Sequence, residues 1–376
     1  MVTGQRGGQK SGMGRGQIIA VLAGVAVASA LLLGFLGGAL GLSAASLRDR
    51  SASPQVSSAE KASPGPEAGT ESATGSGEPT VADVVRAALP SVVSVGVDAG
   101  FESGSGSGFA LTPEYVVTNN HVIDAALVND GRIEIIRSDG SRVPAEIVGR
   151  NVSYDVAVLR VETDGLVPLE PQSDEVAVGD SVVVIGAPLG YDFTVTTGIV
   201  SAVDRPVTVG EAEDASYISA IQTDAPINPG NSGGPVVDSD GRFIGMASSI
   251  ATLGRGAVAG SIGLGFAVPA RAVVRIAEEI IATGSSRTPV IGVTLDPSFP
   301  GPGALIDTVT PDGGAAAAGL RAGDVILRVG ERTVANADEL VVAIRDRLPG
   351  EDVRVEARRG DRTFEVVVVL GSREDR

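Results

Sequence analysis

Hydrophobic positions along this chain come mostly as short β-branched runs set between glycine-bearing turns, the rhythm of strands rather than helices. Runs at 92–97, 108–111, 115–118, 133–137, 156–161 and 181–185 predict strands, as do those at 196–202, 218–223, 235–238 and 243–248. Asn129-Asp130-Gly131, Asp139-Gly140 and Asp240-Gly241 supply turns between them. Many short strands at this spacing predict a sandwich or barrel. Helical periodicity is rarer. Thr80 is placed to cap a helix over 81–89 that Pro90 stops. Over 271–283, Val273, Val274, Ala277, Ile280 and Ile281 form one stripe that ends at Gly284, closing the main body before a short connector at 285–288.

The N-terminal end follows another pattern. Residues 1–17 are glycine-rich and carry Arg6, Lys10 and Arg15 with no acidic residue. Residues 18–42 then run uncharged. As a helix they would be about 37 Å long at about 1.5 Å per residue, more than the roughly 30 Å hydrocarbon core of a bilayer. The stretch also exceeds the usual apolar core of a signal peptide. The reading is a retained single-pass membrane anchor, with cleavage near Ala45 as the alternative. Charge bias places the N-terminus in the cytoplasm, with Arg48 and Arg50 working against it. Residues 43–79 are largely Ser, Ala, Pro, Gly and Glu, too polar to bury a core, and predict a disordered linker.

Composition narrows the function. The net charge of −17 argues against a nucleic-acid partner, whose phosphates require basic patches. With no cysteine and one histidine, a zinc site of the usual kind is not expected, and no metal or cofactor is implied. Gly104-Ser105-Gly106-Ser107-Gly108 lacks the Lys-Ser/Thr of a phosphate loop and reads as close packing on a barrel strand.

That single histidine, His121, follows a short apolar strand in Val117-Thr118-Asn119-Asn120-His121-Val122. Farther along, Ser232 lies among glycines in Gly230-Asn231-Ser232-Gly233-Gly234-Pro235. An imidazole can accept and return a proton near neutral pH, and a serine hydroxyl needs such a base before it attacks a carbonyl. Glycines let backbone N–H groups converge on one point, as an oxyanion hole requires. A third group must fix the tautomer. Asp155 is the best candidate, because it opens the apolar run 156–161 and a carboxylate entering a core strand needs hydrogen-bond partners. Asp124, Asp130 and Asp139 are rivals, read as solvated turns or caps. The chain order His–Asp–Ser is that of the chymotrypsin arrangement.

Thr118-Asn119-Asn120-His121-Val122-Ile123, Asp155-Val156-Ala157-Val158-Leu159 and the block Gln222 through Pro235 closely resemble HtrA/DegP-type serine proteases. So do Thr194-Val195-Thr196-Thr197-Gly198-Ile199-Val200-Ser201 and Gly265-Phe266-Ala267-Val268-Pro269. The resemblance covers roughly residues 80–370. It implies a mostly β protein with two six-stranded antiparallel barrels over 80–284 and a small α+β PDZ domain over 288–371. It assigns catalysis to His121, Asp155 and Ser232, and an oxyanion hole to Gly230, Asn231 and Ser232 through the N–H groups of Gly230 and Ser232. Neutral Asn231 stands where many secreted relatives of chymotrypsin hold an aspartate, so activation by zymogen cleavage is not expected. Loops at 187–194, 204–216 and 251–263 would switch the site on.

Six positions before Ser232, where trypsin-like enzymes keep a buried carboxylate, stands Pro226. Pro226, Ile227 and Asn228, with Ala247 and Ser248 from the segment 246–250, are the expected specificity pocket. They predict cleavage after small aliphatic residues. The PDZ-like part holds the segments 290–295, 313–319 and 322–327, a helix at 336–348 and a strand pair at 353–357 and 363–370. Amides at Ile291, Gly292 and Val293 would take a peptide C-terminus added as a strand, with Leu340 and Ile344 lining the pocket for its last side chain. Their four-residue spacing is equally that of a core helix. The implied partners are unfolded proteins and C-terminal peptides, and the family implies a homotrimer. The rival function is a non-cleaving chaperone or PDZ scaffold.

Overall fold

The computed structural model describes residues 79–100, 102–128, 131–162, 165–187, 193–209, 216–248, 261 and 263–375. The expected anchor at 18–42 and nearly all of the linker lie outside the described residues. Among these residues, no helix is long and apolar enough to cross a membrane.

The chain enters through helix α1, Val81–Ala88, capped as expected by Thr80, whose hydroxyl accepts the Asp83 amide at 3.3 Å. Six strands then close the first barrel: β1 Val92–Ala99, β2 Glu102–Ala110, β3 Tyr115–Thr118, β4 Arg132–Ile136, β5 Arg142–Asn151 and β6 Val156–Val161, paired in the order β1-β2-β3-β6-β5-β4. Helix α2, Asn120–Val128, follows β3. The second barrel comprises β7 Ser181–Gly186, β8 Thr194–Val209, β9 Ser216–Thr223, β10 Pro235–Val237, β11 Phe243–Ser248 and β12 Gly265–Pro269, in the order β10-β11-β12-β9-β8-β7. All pairs in both barrels are antiparallel, as the resemblance implies.

Strand periodicity explains why several of these runs are apolar at every position. Val93, Val95 and Val97 of β1 join Val116, Ala157 and Leu159 inside the first barrel. Their neighbours Val92, Val117, Val156 and Val158 point the other way and pack with Val183, Ile185, Val237 and Met246 in the seam between barrels. Val182, Val184, Val236 and Ile244 fill the second barrel. Both faces of such strands are buried, so alternation disappears from the sequence. Phe109 and Phe243 meet across the seam with ring centroids 4.8 Å apart. Helix α3, Ala270–Thr283, buries Val273, Ile276, Ala277 and Ile280 on the same seam core. It stops at Gly284 with φ 78°.

The smaller domain is a six-stranded sheet of β14 Val293–Leu295, β15 Ala304–Val309, β16 Val325–Val329, β17 Arg332–Thr333, β18 Asp352–Arg359 and β19 Arg362–Val369. Helices α4, Gly314–Ala317, and α5, Ala337–Arg345, contribute Ala315, Leu340, Ala343 and Ile344 to its core.

Several elements depart from the sequence pattern. Strand β5 was not anticipated, because Arg142, Pro144 and Glu146 interrupt its apolar positions and most of its residues are half-buried or exposed. The connector is a strand, β13 Ser286–Val290, antiparallel to a second unanticipated strand, β20 Gly371–Asp375. This ribbon docks on the first barrel. Asn151 Nδ2 donates to Ser286 Oγ at 2.8 Å and to Thr288 Oγ1 at 3.3 Å. Ser153 Oγ donates to Asp375 at 3.2 Å and also accepts from Arg373. The Tyr154 hydroxyl donates to the Arg345 carbonyl at 2.5 Å, and Arg345 Nη1 donates back to the Ser153 carbonyl at 2.6 Å.

Candidate active site

His121 occupies the first turn of α2, directly after β3. Asp155 ends the 3₁₀ turn Val152–Tyr154 and precedes β6. Its backbone is left-handed, at φ 57° and ψ 46°. Such a conformation costs a non-glycine residue about 1–2 kcal/mol, least for Asp and Asn. Neighbouring bonds hold it there: Asn151 Oδ1 accepts the Tyr154 amide at 3.0 Å, and Asn119 Nδ2 donates to the Asp155 carbonyl at 2.9 Å. The carboxylate is buried and faces His121. Nδ1 lies 3.0 Å from Oδ1 and 2.9 Å from Oδ2, and Oδ1 also accepts the His121 amide at 3.1 Å. Ser248 Oγ donates to Oδ2 at 3.3 Å. With Nδ1 donating to the carboxylate, the other ring nitrogen is left as the acceptor.

Ser232 comes from the second barrel, just before β10, and is almost wholly buried. Ahead of it, Asn228-Pro229-Gly230-Asn231 is a turn closed by the Asn231 amide on the Asn228 carbonyl at 3.0 Å. Proline second and a glycine third at φ 101° are the marks of a type II turn. Only glycine takes that φ without strain. After Ser232, the Gly233 amide donates to the Ala247 carbonyl and the Ala247 amide to the Gly234 carbonyl, each at 2.9 Å, binding the loop to β11.

The two halves of the site meet at the glycine-rich strand. A Cβ on Gly106 would fall 2.6 Å from Val122, the neighbour of His121, and 3.2 Å from the Ser232 carbonyl oxygen. The structure thus uses the Gly104–Gly108 stretch for close packing between the histidine helix and the serine loop. Asn231 is buried, and among the described residues its Nδ2 has no partner. A Cβ on Gly186 would fall 2.2 Å from Asn231 Oδ1.

The rival carboxylates sit elsewhere in the bonding pattern. Asp124 accepts from Asn120 at 3.1 Å and lies 3.7 Å from Arg150. Burial holds its carboxyl above the usual range against the pull of Arg150. Asp139 accepts from the Ser141 amide and hydroxyl at 2.8 and 2.5 Å, which hold its carboxyl low. Asp130 lies outside the described residues.

The expected pocket residues divide. Pro226 is exposed, and its carbonyl accepts Thr196 Oγ1 at 2.8 Å. Asn228 Oδ1 accepts the Ser261 amide at 2.8 Å. Ile227 and Ala247 are wholly buried among the side chains that fill the second barrel. Ser248 faces Asp155. Residues 249–250, 210–215 and most of the loops at 187–194 and 251–263 lie outside the described residues; the rest of the loop expected at 204–216 is strand instead, since residues 204–209 end β8 and Ser216 opens β9.

In the smaller domain Ile291, Gly292, Val293, Leu340 and Ile344 line one groove of about 370 Å³. Arg345 and Arg373 complete its wall, and neither was anticipated from the sequence. Arg345 stacks 5.1 Å from the Tyr217 ring. Burial pushes its pKa down to about 10, still high enough to keep it charged at neutral pH.

The chain matches the trypsin-like peptidase domain family over residues 106–246 and the PDZ domain family over 289–370. It is 41% identical over 311 residues to serine protease PepD of Mycobacterium tuberculosis, a match covering 78% of this chain and 67% of that protein. A "Probable periplasmic serine endoprotease DegP-like" of Halomonas elongata is 38% identical over 282 residues, covering 72% of this chain and 57% of its own length. A solved structure of the HtrA-type protease AlgW with a decapeptide aligns at a TM-score of 0.60 and 28% identity, covering 78% of this chain and 99% of that one.

Proposed function

Because this chain belongs to the HtrA/DegP family of trypsin-like serine proteases that carry a PDZ domain, we propose that it is an extracytoplasmic endopeptidase that cleaves unfolded proteins through an acyl-enzyme on Ser232. The observation that carries this reading is the pairing of the only histidine with a buried carboxylate, 2.9 Å from Nδ1 to Asp155 Oδ2.

His121 Nε2 takes the Ser232 Oγ proton as Oγ attacks the scissile carbonyl, and Asp155 stabilises the imidazolium without accepting the proton. The tetrahedral oxyanion rests on the N–H groups of Gly230 and Ser232, each such donor typically worth about 10²–10³ in turnover. His121 returns the proton to the leaving amine. A water activated by the same ring then hydrolyses the ester.

Neutral Pro226 six positions before Ser232, in place of a carboxylate, and the uncharged, half-buried Asn228 support cleavage after Val, Ala or Ile. Each methylene discriminates by only about 1–3 kcal/mol, so selectivity is loose. The groove at Ile291–Val293 takes hydrophobic peptide C-termini. Residues 18–42 tether the enzyme to the membrane, with the protease and PDZ domains outside the cytoplasm, as the periplasmic relatives also favour.

Labelling with a fluorophosphonate tests the core of this reading. Label is expected on wild type and is lost in Ser232→Ala; an unlabelled wild type would leave the non-cleaving chaperone or scaffold. The fragment 80–376 should degrade unfolded casein, and a peptide library cut mainly after Arg or Lys would overturn the assigned specificity. A hydrophobic C-terminal peptide should raise turnover.

A further inference from the structure

We propose that Ser107 is a positioning residue for the oxyanion turn, holding the Gly230 carbonyl in place from the opposite barrel; this rests on the reading of Ser232 as nucleophile. Ser107 lies on β2 of the first barrel and is wholly buried. Its hydroxyl donates to the Gly230 carbonyl at 2.6 Å and accepts the Ala187 amide at 2.7 Å. Its own amide donates to the Ser232 carbonyl at 2.8 Å, and its carbonyl accepts Thr118 Oγ1 at 2.7 Å.

One residue therefore grips the carbonyls on both sides of Asn231, the stretch whose N–H groups face the developing oxyanion in the proposed mechanism. A glycine at φ 101° has a broad range of alternative conformations, and a change in its ψ, which swings its own carbonyl, would carry the turn out of type II. Fixing the Gly230 carbonyl restricts that rotation. The second bond ties the same hydroxyl to Ala187, the residue that follows β7, so three segments share one side chain. The fit is close. A Cβ on Gly233 would fall 2.1 Å from the Ser107 carbonyl oxygen, and one on Gly234 3.2 Å from the Ser107 Cβ. Glycines after the nucleophile thus let the loop press against Ser107.

Ser107→Ala removes both hydroxyl bonds, leaving a buried carbonyl and a buried amide to find other partners. Ser107→Cys fills nearly the same space with a thiol, a weak donor and acceptor. Both variants are measured in the full-length protein by peptide kinetics normalised to titrated active sites, by phosphonate labelling rate and by melting temperature. In Ser107→Ala, kcat and labelling rate are expected to fall by about 10- to 100-fold, less than the roughly 10²–10³ for losing an oxyanion donor outright because the donor is misplaced rather than removed, with KM unchanged. The acid limb of the pH profile should stay in place, because the His121–Asp155 pair is not touched. Ser107→Cys should stay close to Ser107→Ala. Unchanged kcat in Ser107→Ala, or full recovery in Ser107→Cys, overturns the proposal and leaves Ser107 a packing residue. Should Ser107→Ala lose its cooperative melt, the near-isosteric cysteine variant decides alone. An unlabelled wild type would instead bring down the protease reading itself, a separate result.

Discussion

Replacing Asp155 by asparagine tests the proposed site at its narrowest point. Asp155 Oδ1 accepts the His121 main-chain amide at 3.1 Å, and that group can only donate. An asparagine must therefore turn its own oxygen toward this amide, which puts its NH2 in the place of Oδ2. There it meets Nδ1, now 2.9 Å from Oδ2, and Ser248 Oγ, now at 3.3 Å. An amide NH2 donates, so although Oδ1 also lies 3.0 Å from Nδ1, the nearer NH2 favours Nδ1 as acceptor and the ring proton on Nε2. The base proposed to serve Ser232 is then gone.

The opposite amide orientation keeps the productive tautomer but sets two donors face to face, leaving a buried N–H unsatisfied at about 1–3 kcal/mol. Even then the imidazolium has lost its charged acceptor, a bond worth about 1.5–3 kcal/mol. Together these terms come to about 2.5–6 kcal/mol, or roughly 10²–10⁴ in kcat at 1.36 kcal/mol per tenfold. The same exchange in the trypsin template lowers kcat by about 10⁴. Steady-state peptide hydrolysis at pH 7 measures it, with a cooperative melt as the check on folding. A folded Asp155→Asn protein with kcat within tenfold of wild type would refute the tautomer assignment.

Gly230→Ala should lower kcat by about 10²–10³ with little change in KM, because φ 101° is closed to alanine and the turn must swing its amide away; an unaltered kcat would exclude the type II turn as the source of an oxyanion donor. Tyr154→Phe should cost about 1 kcal/mol through the lost bond to Arg345, a melting shift of about 2–4 °C. Burial raises the Tyr154 phenol pKa from 10.0 to about 12, so the folded protein keeps a proton that the unfolded chain has released. Tyr154 thus lends its full stability below pH 10 and loses it between 10 and about 12. Denaturant titrations across that window should show a shallower decline in Tyr154→Phe than in wild type. Arg359→Met should destabilise the PDZ domain, by less than the loss of a fully buried pair because Arg359 is partly exposed. Burial works to raise the Asp324 pKa, yet bonds from Arg359 and the Arg321 amide hold it below the usual value. Its contribution is therefore present above the ordinary carboxylate pKa and lost as pH falls through the lowered one. Acid melts should show Arg359→Met failing at higher pH than wild type; coincident acid limbs would remove Asp324 as their cause.

What the sequence made legible follows from where each residue's information lies. Strands β3, β6 and β11 coincide with apolar runs because both their faces are buried, one in a barrel and one in the seam. Strand β5 escaped notice because its burial is only partial and Arg142, Pro144 and Glu146 fall among its apolar positions. Strands β13 and β20 pair with each other from opposite ends of the PDZ domain, and no local pattern announces such a partner. His121, Asp155 and Ser232 could be singled out because proton transfer and nucleophilic attack admit few residue types. Which neighbours face the cleft depends on register. Ile227 and Ala247 stand in the segments expected to line the pocket but are buried in the second barrel. Ser107 gave no signal, since its hydroxyl serves main-chain groups that any sequence would present.

The turn Val152–Tyr154 connects chemistry to recognition without any residue that either would single out. Asn151 and Ser153 hold the β13–β20 ribbon, and Tyr154 and the Ser153 carbonyl hold Arg345. Arg345 and Arg373 also form part of the wall of the proposed peptide groove. The left-handed Asp155 follows immediately, so its backbone is set by a turn that the PDZ domain helps to fix. Deleting 288–376 would remove the groove and also strip partners from Asn151, Ser153 and Tyr154. A change in turnover after that deletion would mix lost regulation with a loosened Asp155. Peptide titration of the intact chain leaves those bonds in place, so it isolates what occupancy of the groove does to the site.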